Sequence, residues 1–333
     1  MSRILVTGGL GYIGSHTVVE LVKASYEVVI IDNLCNTSID VLARLEDITQ
    51  TPLTFYNVDV CDTAKLKAVL ASEAIDGVIH FAAYKAVGES VEYPHKYYSN
   101  NVGGLISLLE ALPAELPFVF SSSCTVYGDT KFSPITEDSP VVEAASPYGT
   151  SKIICEEILK DLSKVKPTSI VSLRYFNPVG AHESALIGEL PIGVPNNLVP
   201  YITQTAAGIR EKLVVFGGDY NTPDGTNVRD FIHVMDLAEA HVKALKYVLD
   251  SPVGYDVINL GTGVGNSVLD VINTFERANN IQLNYEIGSR RPGDVEQIWA
   301  DASKAERILN WKASRTLGNM METAWRWQQK LES

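Results

Sequence analysis

The stretch Ile4-Leu-Val-Thr-Gly-Gly-Leu-Gly-Tyr-Ile-Gly14 decides the fold. A short apolar run leads into glycines at positions 8, 11 and 14, and a helical pattern begins near Ser15. Glycines there permit a tight turn and close backbone approach, and the helix that follows aims its amide end at the occupant of the turn. A pyrophosphate suits that end. The spacing is GxxGxxG, not GxGxxG. A second apolar run closes on Asp32, near the position about 20 residues on where an acid accepts from a ribose 2′-OH. Asn33-Leu34 follows with no adjacent Arg or Lys, which favours NAD over NADP.

Working outward, strand-like runs at residues 4–7, 27–32, 53–58, 77–82, 117–122 and 169–175 alternate with helical patterns such as 15–24, 64–71 and 103–112. That alternation predicts an α/β fold, a doubly wound parallel sheet of the Rossmann type over residues 1–176. After that the texture changes. Residues 177–197 are rich in Gly, Pro and Asn, 213–216 read as a strand and 217–228 as a loop. A helix is expected at 234–249, a strand at 257–260 and a helix at 267–278. Residues 177–333 are therefore expected to form mainly a smaller substrate-binding lobe, with segments around 228–262 returning to the main domain.

The formal net charge is −13, which disfavours nucleic acid and anionic membrane as partners. A phosphate-bearing substrate would have to be captured by a local cluster of cations, so each well-placed Arg gains meaning. Cys35, Cys61, Cys124 and Cys155 are scattered without a CxxC, and reduced, mostly buried thiols of a cytoplasmic protein are expected. No stretch approaches the about 18 apolar residues a membrane span needs.

The chemistry is carried by Ser146-Pro-Tyr-Gly-Thr-Ser-Lys152. Ser146 and Pro147 supply an N-cap and a first-position proline, which sets Tyr148 and Lys152 one turn apart on one helix face. An ammonium near a phenol favours the phenolate and lowers its pKa from about 10. Such a Tyr accepts a proton from an alcohol near neutral pH while a nicotinamide takes the hydride. In Ser121-Ser-Ser-Cys-Thr125, which ends the fifth strand, Ser123 is the candidate to hydrogen-bond the reacting oxygen, with Thr125 second. Asp59 is a candidate adenine partner. The small residues of Phe81-Ala-Ala83 suit close approach to the cofactor, and Lys85 stands at a ligand-facing strand end. Asn100, at a helix start, either caps that helix or reaches the cofactor. Read alone, Arg229-Asp230 is a surface ion pair. His233, Asp236 and His241 fall on different faces of a helical segment, so no metal is expected.

Together these residues resemble the extended short-chain dehydrogenase/reductase superfamily. Within it the chain is similar over nearly its whole length to the UDP-glucose (UDP-galactose) 4-epimerases. The strings that carry this are Asp32-Asn-Leu-Cys-Asn36, Lys85-Ala-Val-Gly-Glu-Ser90, Ser121-Ser-Ser-Cys-Thr-Val-Tyr-Gly128 and Arg174-Tyr-Phe-Asn-Pro-Val-Gly-Ala-His182. Pro195-Asn-Asn-Leu198, Val228-Arg-Asp-Phe-Ile-His-Val-Met-Asp236 and Trp299-Ala-Asp-Ala-Ser-Lys304 extend them. The resemblance implies a tightly held NAD used without net consumption, galactose metabolism, and a homodimer.

It also implies roles. Tyr148 would take the proton from the sugar 4-OH, Lys152 would hold the nicotinamide ribose and depress the Tyr148 pKa, and Ser123 would relay the proton. The 4-keto sugar would turn and be reduced on its other face. Gly8, Gly11, Tyr12, Ile13, Gly14, Asp32, Asn33, Asn36, Asp59, Val60, Phe81, Ala82, Lys85, Asn100, Ser123, Tyr148 and Lys152 would surround the cofactor, and Phe176 would line the nicotinamide. Asn177, Asn197, Arg229, Arg291 and Asp294 would grip the UDP portion with Phe216 near the uracil, while Lys85, Ser123 and Tyr148 also meet the substrate. Ile298 stands where a bulky residue would disfavour a C2 N-acetyl group, which leans the reading toward plain UDP-hexoses. Three alternatives stay open. A 4,6-dehydratase would want an Asp-Glu pair where Val126-Tyr127 follow Thr125. A keto-sugar reductase would need cofactor exchange, and an NAD sensor would need no activated phenol.

Overall fold

The structure, a computed structural model, describes residues 2–113, 115–129, 133–142, 144–291 and 294–332. Its frame follows from strands apolar on both faces. In Glu27-Val-Val-Ile-Ile-Asp32 every residue after the first is buried, as a parallel strand covered by helices requires. In order come β1 (Arg3–Thr7), α1 (Tyr12–Lys23), β2 (Glu27–Asp32), α2 (Asp40–Thr49), β3 (Thr54–Asn57), α3 (Thr63–Leu70) and β4 (Gly77–His80). Short helices α4 (Val87–Glu92) and α5 (Pro94–Tyr97) lead through a π-helical turn, Tyr98–Val102, into α6 (Gly103–Ala111). Then follow β5 (Phe118–Ser121), a 3-10 turn at Cys124–Tyr127, α7 (Pro147–Val165) and β6 (Ile170–Tyr175).

The second half holds β7 (Asn177–Val179), α8 (Leu198–Ala206), β8 (Leu213–Phe216), β9 (Val228–His233), α9 (Val234–Asp250) and β10 (Tyr255–Leu260). It ends with β11 (Gly265–Ser267), α10 (Val268–Asn279), β12 (Tyr285–Gly288), β13 (Gln297–Ile298), α11 (Ser303–Leu309) and α12 (Leu317–Glu332).

Seven parallel strands form the main sheet in the order β10-β6-β5-β4-β1-β2-β3. This is the doubly wound order, whose direction reverses between β1 and β4. The two-residue side-chain period feeds two cores. Ile4, Val6, Val28 and Ile30 pack with α1, α9 and α11 on one face, and Leu5, Val29 and Ile31 with α3, α6 and α7 on the other.

β10 joins the main sheet beside β6, and α9 packs on α1 and that sheet. β9 differs from the expectation for 228–262. It pairs with β7, β11 and β13 in a small sheet, because Phe231 buries against α8, α10 and α12. The strand also begins at Val228, where a loop was expected to end. The cysteines differ too. All four are free, but only Cys155 is buried, since Cys35 and Cys61 lie in turns after β2 and β3.

Candidate active site

The glycine turn sits at the reversal between β1 and β4. Gly8 has φ +68°, and a Cβ there would stand 2.8 Å from the Ala82 amide nitrogen. A Cβ on Gly14 would land on the Gly8 carbonyl oxygen. Gly11 caps α1 with no side-chain hydrogen bond, and the first turn holds no acid, so its amides are open to an anion. This backbone cradle, which any side chain would fill, fits a pyrophosphate. Tyr12 and Ile13 are half-buried in the first turn, and Tyr12 Oη donates to the Gly180 carbonyl at 2.6 Å, tying the turn to the second half of the chain.

Asp32 ends β2 and accepts from the Leu34 and Leu10 amides at 2.9 and 3.2 Å. Burial nonetheless raises its pKa above the ordinary value. Asn33 Nδ2 donates to Asp59 Oδ2 at 2.9 Å. Burial pushes Asp59 up, but the Cys61 amide and Asn33 outweigh it, and its pKa is lowered. Val60 is buried against Gly104, and Asn36 is exposed in the turn after β2. Phe81 lies 4.7 Å from the His241 ring. Asn100 does not begin a helix. It lies inside the π-helical turn, its Nδ2 donating to Asn101 Oδ1 at 3.0 Å, because α5 runs on through that turn into α6.

The candidate catalytic groups converge beyond β5. Ser123 is extended and caps the 3-10 turn, its Oγ accepting from the Thr125 amide at 3.2 Å and the Thr125 hydroxyl at 3.0 Å. The cap and proline of α7 form as the sequence indicated, with Ser146 Oγ accepting from the Gly149 amide. Tyr148 and Lys152 are both buried. Lys152 Nζ donates to the Ser121 carbonyl at 2.7 Å and stands 4.8 Å from the Phe120 ring centre.

One expectation is corrected here. Burial, with Tyr175 adding to it, pushes the Tyr148 phenol up, although Ser123 hydrogen-bonds it and pulls the other way. The reason is geometric: the ammonium's hydrogen bond goes to a carbonyl, and burial lowers Lys152 itself to about 8.

Two supports had escaped the sequence reading. Tyr175 Oη accepts from Ser121 Oγ at 3.1 Å. Glu156, one turn past Lys152, accepts from Ser122 Oγ at 2.5 Å and pairs twice with Arg174, all of it buried. An acid on the apolar face of a helix pattern was the signal for the second.

On the other side, Phe176 packs with Val126, Tyr127 and Ile298. Asn177 follows at the start of β7. Lys85 Nζ and Asn197 Nδ2 both donate to Glu189 Oε1, at 3.0 and 2.6 Å. Arg229 Nη1 donates to the Val228 carbonyl at 2.9 Å, and burial lowers its pKa. Arg291 forks onto Asp294 at 2.8 and 3.2 Å, its guanidinium 5.5 Å from the centre of the half-exposed Phe216 ring.

Arg229-Asp230 is not a surface pair. Asp230 is fully buried, because alternation along β9 turns it inward, and it accepts from the Thr262, Gly263 and Ala300 amides and the Thr262 hydroxyl. His233, Asp236 and His241 serve separate ends: a cap on Met235, an anchor for Arg315, and a ring beside Phe81.

Residues 5–324 match the model of the GDP-mannose 4,6 dehydratase family. After Thr125, however, Val126 and Tyr127 are buried and Tyr127 Oη donates to Asn259, so no acid pair stands there. The UDP-glucose 4-epimerase of Pasteurella multocida is 54% identical over 330 residues, spanning 98% of this chain and 97% of that one. Among solved structures, the UDP-glucose-4-epimerase of Stenotrophomonas maltophila with bound NAD and formylated UDP-arabinopyranose is 46% identical. Its TM-score is 0.97, with 100% of this chain and 99% of that one covered. The Bifidobacterium longum enzyme in complex with NAD+ and UDP is 48% identical with a TM-score of 0.94, over 99% and 98% of the two chains. Identity at this level, sustained end to end on one backbone, resolves the wider match, and the chain belongs to the UDP-glucose 4-epimerase family.

Proposed function

We propose that this protein interconverts UDP-galactose and UDP-glucose by oxidation at C4, turning of the 4-keto sugar, and reduction on its other face. The observation that carries the reading is the convergence of Ser123, Tyr148 and Lys152 beyond β5, on the sheet that holds the glycine cradle. When bound, NAD supplies the hydride acceptor and returns the hydride. Gly8, Gly11, Gly14, Tyr12 and Ile13 would hold its pyrophosphate, Asp32, Asn33, Asn36, Asp59 and Val60 its adenosine half, and Phe81, Ala82, Lys85, Asn100, Lys152 and Phe176 the remainder.

Tyr148 Oη takes the proton from the sugar 4-OH and later gives it back. Burial alone would keep that phenol protonated. With a pKa of about 8, Lys152 is mostly charged at pH 7, and a positive charge in a dry site favours the phenolate. Ser123, already bonded to Thr125, is placed to pass the proton to Tyr148. Arg229 and Arg291 can make paired hydrogen bonds to the diphosphate, which matters in a chain of net charge −13. Asn177, Asn197 and Asp294 complete the grip and Phe216 flanks the uracil. We read residues 177–333 as mainly this UDP-sugar lobe.

A cytoplasmic homodimer fits the four free cysteines and the exposed Ile106 and Ile154 on α6 and α7, helices packed on the same core. The test is to incubate the purified protein, without added cofactor, with UDP-galactose and follow UDP-glucose. Conversion is expected. None, even with NAD supplied, would overturn the proposal.

A further inference from the structure

Glu189 joins the two sides of the site. A single atom, its Oε1, accepts from Lys85 Nζ at 3.0 Å and from Asn197 Nδ2 at 2.6 Å. Lys85 follows β4 near the glycine cradle, its ammonium 5.9 Å from the Tyr12 ring centre. Asn197 precedes α8 on the UDP side. The Glu189 side chain is 11% exposed and that of Lys85 49%.

Such a half-exposed ion pair contributes little to stability. Nor is the carboxylate needed to hold its loop. Trp327 Nε1 donates to the Glu189 carbonyl at 2.9 Å, and Gly188 lies flat on the Trp327 ring, where a Cβ would meet ring carbons at 2.5 Å. The backbone is pinned whatever side chain residue 189 carries.

The two donors, by contrast, need pinning. Both residues sit in loops, and an exposed lysine loses much rotamer freedom when it binds. A shared acceptor removes that freedom in advance. Lysine has three N–H groups and an asparagine amide two, so each keeps a donor for a ligand.

Resting on the epimerase reading above, we propose that Glu189 is a positioning residue. Its carboxylate presets Lys85 and Asn197 as donors for the UDP-sugar and couples the dinucleotide side of the site to the UDP side. Glu189 touches no reacting atom, so its effect belongs in KM rather than kcat.

The experiment compares wild type, Glu189→Gln and Glu189→Ala, with NAD saturating and thermal midpoints measured alongside. Glu189→Gln keeps an acceptor for Asn197 but loses the charge facing Lys85. It should raise KM for UDP-galactose by about threefold to tenfold with kcat within about twofold, as lost preorganisation predicts. Glu189→Ala should raise KM further, and Asn197→Ala should add little on that background, because the two effects share one bond.

An unchanged KM would reduce Glu189 to a loop residue, a lowered KM would make it an anionic barrier, and a fall in kcat alone would place it elsewhere. Each result overturns the proposal. An inactive wild type would sink the epimerase reading instead. Glu189 would then be judged by calorimetry with UDP, where equal affinity of wild type and Glu189→Gln is the overturning result. Should Glu189→Ala not fold, the near-isosteric Gln variant decides alone.

Discussion

Lys152 and Tyr148 lie one helical turn apart, yet the ammonium is 6.0 Å from the phenol ring centre and donates to the Ser121 carbonyl. The ammonium's bond is spent on the strand end and not on the phenol, so neither side chain holds the other in place. Tyr148→Phe should therefore fold, bind UDP-galactose, and lose about 10²–10⁴ of kcat, the range of a lost acid–base group. Near-normal turnover of that variant would remove Tyr148 as the base.

The depressed pKa of Lys152 has a signature in stability. It titrates near 8 when folded and at 10.5 unfolded. Between those values the unfolded chain holds a proton that the folded chain has released, so stability rises with pH there. Lys152→Met should lose activity and flatten that rise in denaturant titrations at pH 8 and 10. An equal rise in both proteins would show that the lysine is not the source.

Buried histidines act at the other end of the pH scale. His16, His80 and His233 are held down to about 3 and His241 to about 4, chiefly by burial. Below 6.5 the unfolded chain takes protons that the folded chain refuses. Each histidine's contribution is whole above 6.5 and falls by up to about 1.4 kcal/mol per pH unit as pH drops toward the folded value. Among the described residues His241 Nε2 has no hydrogen-bond partner, and its ring abuts Phe81. His241→Phe should keep the fold at pH 7.5 and lose less stability than wild type at pH 5.5, read from urea midpoints. Identical losses would refute the account.

Gly14→Ala asks whether the cradle is as tight as it looks. A Cβ there meets the Gly8 carbonyl, a backbone atom that cannot turn aside. Overpacking of this kind costs about 1–3 kcal/mol, and displacing the turn should remove most NAD affinity. A variant that retains NAD through gel filtration as wild type does would contradict this.

Ile298 is buried beside Phe176 on the wall of the site. Ile298→Ala should destabilise by about 2–5 kcal/mol and raise turnover of UDP-N-acetylgalactosamine relative to UDP-galactose. If the ratio does not move, another residue limits the pocket at C2.

The main sheet was legible because its strands are short apolar runs broken by glycine turns, and β2 was read to the residue. The lobe beyond was legible in β8 and α10 but not in its small sheet. Gly217–Val228 looks irregular because the loop is irregular, and the switch to a strand at Val228 depends on Phe231 finding α10 and α12 far along the chain. Ser146, Tyr148 and Lys152 were legible because one cap sets the phase of one helix. The opposed pKa of Tyr148 was not, since burial is a tertiary quantity that outweighs a neighbour four residues away. Glu189 and Glu156 were missed for the same reason: their partners lie far off in sequence or face inward.

The chain leaves the main sheet after Tyr175, returns from β9 directly into α9, and leaves again after Leu260. It returns once more through α11, packed on α9 and β10, and leaves a last time into α12, so the two bodies are stitched by five peptide crossings, not hung on one. A single-linker pair could swing open about its joint, but five separate seams resist rotation about any axis they do not share. A sugar that has to turn over halfway through its reaction thus does so between walls tied to each other at several points.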